Sequence, residues 1–220
     1  MDFNDHILWK LDVFGVEVWI TQTTVSTWVI MLLLTVVAVI VRIALRKWKT
    51  VPGGFQNLIE MAVEFFDKMV KDVAGENFMS MGSWFFMVFA FMMFSALGGI
   101  FGLRPPTADW PTTFAFALAT FLLIQVMGIR RRKGKYLKRF WNPLNWISEL
   151  TRPLSLSFRL YGNMLAGMII STLIYSLPVY LRFVLPVPLH AYIDLFAGIL
   201  QTYIFCVLSL TFISTAATPD

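Results

Sequence analysis

Two ionisable residues stand inside stretches that contain almost no others: Arg159 and Asp194. Both stretches are long enough to cross a bilayer, where a charged side chain costs from about 2.5 to more than 10 kcal/mol. A charge kept at that depth is either paired and buried, or it faces water or a partner and does chemistry. The polar residues around the two are spaced for a helix. Ser155, Arg159 and Asn163 follow one another at steps of four, along one side of a helix. His190 and Asp194 are also four apart, and Gln201 comes seven residues later, again on one predicted face. Two polar seams on neighbouring helices predict an aqueous path or a polar contact between helices.

The two charges have different chemical capacities. Arginine keeps its proton at any physiological pH, so it is no relay; it is a fixed positive barrier that favours the ionised form of a nearby carboxylate. Aspartate can take up and release a proton. An internal Arg159–Asp194 bridge that only fixes helix packing is the plain alternative. Depth makes that bridge less attractive. Arg159 lies seven residues past Arg152, about 10 Å into its span, whereas Asp194 lies near the opposite, outer end of the next. A carboxylate on another subunit is the natural partner for the arginine.

The elements that position these residues follow from composition. The 220 residues are 58% hydrophobic and 14% charged, against about 45–50% and about 25% in a globular chain. This excludes an ordinary soluble domain and a disordered chain. Cys206 is the only cysteine, which excludes a disulfide scaffold. Uncharged runs predict five membrane-spanning helices, at 24–45, 81–103, 111–129, 153–178 and 189–214. The last two are long enough to tilt. Over 55–73 the apolar residues Phe55, Leu58, Ile59, Ala62, Phe65, Phe66, Met69, Val70 and Val73 recur at three-and-four spacing. The other face carries Glu60, Glu64, Asp67, Lys68, Lys71 and Asp72, with predicted Glu64–Lys68 and Asp67–Lys71 pairs. That pattern predicts an amphipathic helix lying in the cytoplasmic interface, with a net acidic face suited to a partner subunit. The fold class is therefore an all-α integral membrane protein, one membrane domain over 1–220.

The basic residues orient it. Fourteen Lys and Arg fall within 42–71 and 130–152, three (Lys10, Arg104 and Arg182) fall on the other side, and Arg159 lies between. The segment 130–152 reads as a basic cytoplasmic loop, with the N-terminus outside and the C-terminus in the cytoplasm. The net charge of +5 is thus a topology signal beside anionic lipid, not a nucleic-acid surface. Residues 1–23, with Asp2, Asp5, Asp12 and Glu17 against Lys10, read as an external N-terminus rather than a cleavable cationic leader. No cofactor or metal is expected. The stretch from Gly128 to Tyr136 is one residue too long for a phosphate loop, and Tyr136 stands where Ser or Thr would hold magnesium.

The run from Ser148 to Gly167, with its core Arg159-Leu160-Tyr161-Gly162-Asn163-Met164-Leu165-Ala166-Gly167, closely resembles subunit a of the F-type ATP synthase. Leu200-Gln201-Thr202-Tyr203-Ile204-Phe205 resembles that family's last helix, and Pro106-Thr107-Ala108-Asp109 the loop before its third span. The resemblance implies an ion-translocating stator in a bacterial cell membrane, its last two helices tilted against a rotating c-subunit ring. It implies that Arg159 meets each ring carboxylate and separates two half-channels, with Ser155, Asn163 and Gln201 as polar neighbours. Peripheral-stalk b subunits and other synthase subunits are the further implied partners. ATP chemistry would belong to those other subunits, so this chain is expected to have no catalytic site. Many bacterial members carry Glu where this chain has Met168, and the position of Asp194 is often His or an acid. Those two positions line the family's outer half-channel and can exchange roles. Asp194 is thus the expected outer relay, with His190 an entrance group. A proton is the expected ion and sodium the alternative; a stand-alone channel or secondary transporter is the rival class, although the chain shows no internal repeat.

Overall fold

The computed structural model describes residues 7–13, 16–46, 48, 53–99, 104–132, 143–178, 180 and 184–217. Strands β1 (Ile7–Val13) and β2 (Val16–Thr21) form an antiparallel hairpin, with Val13 opposite Val16 and a register irregularity between Ile7 and Trp9. The sequence reading assigned no element there. Val, Ile and Trp at alternate positions suit a pleated pair of strands. Among the described residues every later element is helical.

Helix α1 (Gln22–Leu45) leads to α2 (Gly54–Ala74), a 3-10 turn (Glu76–Met81) and α3 (Gly82–Gly98). A second 3-10 turn (Pro106–Ala108) precedes α4 (Trp110–Arg132) and the 33-residue α5 (Pro143–Tyr175). The last helical run comprises α6 (Pro186–His190), a π-helical turn (Ala191–Ala197) and α7 (Gly198–Ala217). Among the described residues four stretches are long and apolar enough to cross a membrane: Gln22–Leu45, Glu76–Gly98, Trp110–Arg131 and Pro186–Ala217. Helix α5 contains most of the remaining predicted span; its length suffices, while Arg159 and Asn163 lower its apolarity. Large apolar residues stay bare over α1 (Trp28, Leu32, Ile40, Ile43) and on the outer sides of the other helices. Soluble monomers rarely leave so much apolar surface in water. The architecture is a multi-pass helical membrane protein preceded by a hairpin.

Helix α7 is the axis of the bundle. Its Phe205, Cys206, Leu210, Ile213 and Ala216 are buried at three-and-four spacing. One apolar cluster joins Leu210 and Ile213 to Phe66 and Val70 of α2, Phe85 of α3 and Ile124 of α4. A second joins Phe205 to Val88 and Met92 of α3, Ala117 of α4, and Leu156 and Leu160 of α5. At Gly198 the backbone of α7 comes so close to α3 that an added Cβ would lie 2.8 Å from the Ala96 Cβ. Neither atom can swing aside, so Gly198→Ala should force the helices apart. An overpacking cost of about 1–3 kcal/mol is expected, read as a lower inactivation temperature of the purified protein; an unchanged temperature would contradict this packing.

Several boundaries differ from the sequence reading. The segment 130–152 is not a loop throughout: α4 continues to Arg132, α5 begins at Pro143, and 133–142 lie outside the described residues. Arginine is a good helix former and suits a helix C-terminus. Arg131 also donates to the Asn77 carbonyl at 2.9 Å and lies over the Phe78 ring, docking the end of α4. Proline fits the first position of a helix, which explains the start at Pro143. Pro153, expected to open a span, sits inside α5. In α2 the expected Asp67–Lys71 pair gives way: Lys71 meets Glu76 at 2.7 Å, and the Asp67 carboxyl lies against Gly82. The apolar face of α2 is divided as well. Phe66, Met69, Val70 and Ala74 are buried in the bundle, whereas Phe55, Leu58, Met61 and Phe65 are exposed.

Candidate functional site

The burial of α5 decides where its polar seam points. Pro153, Leu156, Ser157, Leu160, Gly167 and Ser171 are buried, at the spacing of one helix face. Leu156 and Leu160 join the apolar cluster, and the Ser157 hydroxyl lies 3.4 Å from that of Thr113 on α4. With that face turned inward, Ser155, Phe158, Arg159, Gly162 and Ala166 are left exposed. Among the described residues Arg159 makes no hydrogen bond or ion pair. A Cβ at Gly162 would meet nothing within 4 Å, so one turn beyond the guanidinium the surface is open. Asn163 is half-buried beside this stripe. Leu154 and Phe158 of α5 are exposed beside it, and Ile199, Leu200 and Tyr203 are exposed on α7.

Gln201 lies in the first turn of α7 and is half-buried; its Nε2 is shielded and has no hydrogen-bond partner among the described residues. Asp194 lies in the π-helical turn, and its side chain is outside the described residues. That turn corrects one expectation. A π-helix closes its hydrogen bonds one residue later than an α-helix, so each turn takes more residues. Asp194 and Gln201 are seven apart across its end, so the regular α-helical spacing behind their predicted common face does not hold in the backbone there.

The level of the π-helical turn is marked by Gly167. A Cβ on that residue would lie 2.6 Å from Ile193 Cγ2, so α5 touches the turn there. Residues 167–168 and 193–194 therefore meet at one level. Along α5 this is eight residues, about 12 Å, beyond Arg159. Farther out still, the Tyr175 hydroxyl and His190 Nε2 are 3.0 Å apart, joining the end of α5 to α6. Tyr175 is 16 residues past Arg159, roughly 24 Å along the helix, so His190 is not brought to the arginine. The fold instead spreads the predicted residues over three levels: Arg159 with Ser155 and Asn163, then the Asp194 backbone, then His190.

Sequence reasoning missed two groups. Tyr175 had no signal beyond its place near the end of a span. Glu149 and Arg152 did have one, being opposite charges three apart on a helix. Arg152 Nη1 donates to Glu149 Oε2 at 3.0 Å. Gln125 on α4 reaches the same oxygen, its Nε2 lying 3.5 Å away. The two arginines of α5 thus differ. Arg152 is neutralised within the chain, while Arg159, with no ion pair among the described residues, presents a permanent cation on a face whose other exposed residues carry no charge. Such a face can receive a passing carboxylate, hold it ionised and release it when a competing proton arrives from elsewhere.

Comparison with known proteins adds an independent observation. Residues 24–214 match the ATP synthase A chain family. ATP synthase subunit a of Moorella thermoacetica is 33% identical over 203 residues, covering 89% of this chain and 90% of that protein. The subunit a of a Sulfurihydrogenibium species is 36% identical over 200 residues, with 84% and 93% covered. That of Geobacter sulfurreducens is 32% identical over 202 residues, with 85% and 83% covered.

Proposed function

Because this chain belongs to the ATP synthase A chain family, we propose that it is the ion-translocating stator of a rotary synthase, with Arg159 as the barrier between two half-channels. The observation that carries the reading is the exposed guanidinium on the outer face of α5, which has no hydrogen-bond or ion-pair partner among the described residues. An unneutralised cation at membrane depth is costly, so an anion from outside the chain is required. The c-subunit ring supplies one at each step of its rotation. Exposed Phe158, Ile199, Leu200 and Tyr203 give the ring an apolar bearing surface, and Gly162 leaves room for its helices. A proton enters from outside past His190, passes Asp194 and reaches the ring carboxylate. It leaves on the cytoplasmic side of Arg159 after nearly a full turn.

The chain itself makes or breaks no bond; the chemistry of ATP belongs to other subunits. The N-terminus is external and the C-terminus cytoplasmic in a bacterial cell membrane, as the distribution of Lys and Arg predicts. Helix α2 lies along the cytoplasmic interface. Its bare Phe55, Leu58, Met61 and Phe65 suit lipid, and its acidic face suits other synthase subunits, the peripheral-stalk b subunits among them.

The rotor-facing surface has a direct test. A cysteine at Leu200, exposed on α7, should form an oxidative cross-link to a cysteine placed beside the ring carboxylate in the assembled complex. Cys206 is buried and does not compete. A cysteine at Ala117, buried in the bundle, should give none. Cross-linking that skips Leu200 and occurs instead from Leu32 on α1 would place the ring on the wrong face.

A further inference from the structure

Pro153 lies inside α5, six residues before Arg159. Having no N–H, it cannot bond the carbonyl of the residue four before it, which is Glu149, and a helix is weakest at such a point. The side chain of that same Glu149 is tied across the gap. It accepts from Arg152 Nη1 at 3.0 Å and lies 3.5 Å from Gln125 Nε2 on α4. The Arg152 guanidinium rests over the Phe212 ring of α7, with Cζ 5.3 Å from the ring centroid, within cation–π range. The pair is well covered, with the Arg152 and Glu149 side chains 13% and 4% exposed. Three helices thus meet where Pro153 leaves the Glu149 carbonyl without its helical hydrogen bond.

We infer that Glu149, Arg152 and Gln125 form a clamp over the Pro153 break, and that these positioning residues set the direction in which α5 presents Arg159. The inference rests on the reading of Arg159 as the stator barrier. A stator face must hold its charge in place while a rotor pushes past. Arg159 is about 9 Å along the helix from Pro153, so a small change of kink angle displaces the guanidinium sideways against the ring. The ion pair also keeps the second guanidinium of α5 from competing for ring carboxylates.

The test uses the whole complex in vesicles, with activity expressed per assembled complex. Arg152→Gln should lower ion-driven ATP synthesis about tenfold and raise passive ion leak, since small misplacements of a positioned group carry costs of this order or larger. Adding Pro153→Ala restores the Glu149 backbone bond and should recover most of the loss, a rescue that a purely structural role does not predict. Normal coupling in Arg152→Gln, or a deficit that Pro153→Ala leaves untouched, overturns the clamp. If Arg152→Gln does not assemble, Gln125→Leu decides, because it removes the tie to α4 without stranding a charge. A measurable fall in coupling supports the clamp, and normal coupling ends it. Arg159→Ala is measured alongside. Normal synthesis there defeats the barrier reading itself, whereas an inactive Arg159→Ala beside a normal Arg152→Gln defeats only the clamp.

Discussion

Replacing Arg159 with alanine should abolish ion-driven ATP synthesis, a loss of at least about a hundredfold, while ATP hydrolysis by the soluble sector continues. The size follows from what the residue does alone. Among the described residues no other charge shares the outer face of α5 around it, and none pairs with it. The fixed cation is the only group there able to hold a ring carboxylate ionised and to keep a proton from slipping between the half-channels. Removing a charge from membrane depth also relieves a cost of at least about 2.5 kcal/mol, so the variant should assemble as well as the parent. That separates lost function from lost folding. Passive proton leak through the membrane sector should rise in the same preparation. Normal synthesis in the alanine variant would refute the barrier role.

Asp194→Asn should slow proton uptake from the external side about a hundredfold at neutral pH, the low end of the range for a lost proton-transfer group, about a hundred- to ten-thousandfold. It should leave the leak and the soluble ATPase unchanged. The contact between Gly167 and Ile193 gives this prediction a second arm. Because residues 167–168 meet the π-helical turn at its level, an acid at position 168 can reach the same path. Met168→Glu in the Asp194→Asn background should therefore restore most of the uptake rate. An Asp194→Asn rate equal to that of the parent at every external pH removes Asp194 from the route. The same vesicles report the carried ion: transport that fails without sodium would make sodium, not the proton, the species moved.

The legible part of this protein was periodic. Apolar runs of about 20 residues announce bilayer-spanning helices because lipid offers the backbone no hydrogen bonds, so each span must satisfy its own. The three-and-four spacing in 55–73 announced α2, which runs Gly54–Ala74. Arg159 stood out because a lone charge among apolar residues needs a reason, and the motif around it pointed to the family that the comparisons show. Other features were not periodic and stayed hidden. The hairpin over Ile7–Thr21 is too short to register among acidic residues. The helix that passes through Pro153 contradicts the local preference of proline, and contacts to α4 and α7 surround that point.

Sequence by itself therefore determined that the chain is a helical membrane protein and which residues carry its unusual charges. Both are properties of a single segment in its solvent, readable from hydropathy and spacing alone. Tertiary structure decided the rest: that Arg152 is neutralised by Glu149 while Arg159 meets no charge among the described residues, that residues 168 and 194 share a level, and that His190 bonds Tyr175 far from the arginine. Each of these depends on which face of a helix is buried against which neighbour, and packing between segments distant in the chain leaves no period in either one.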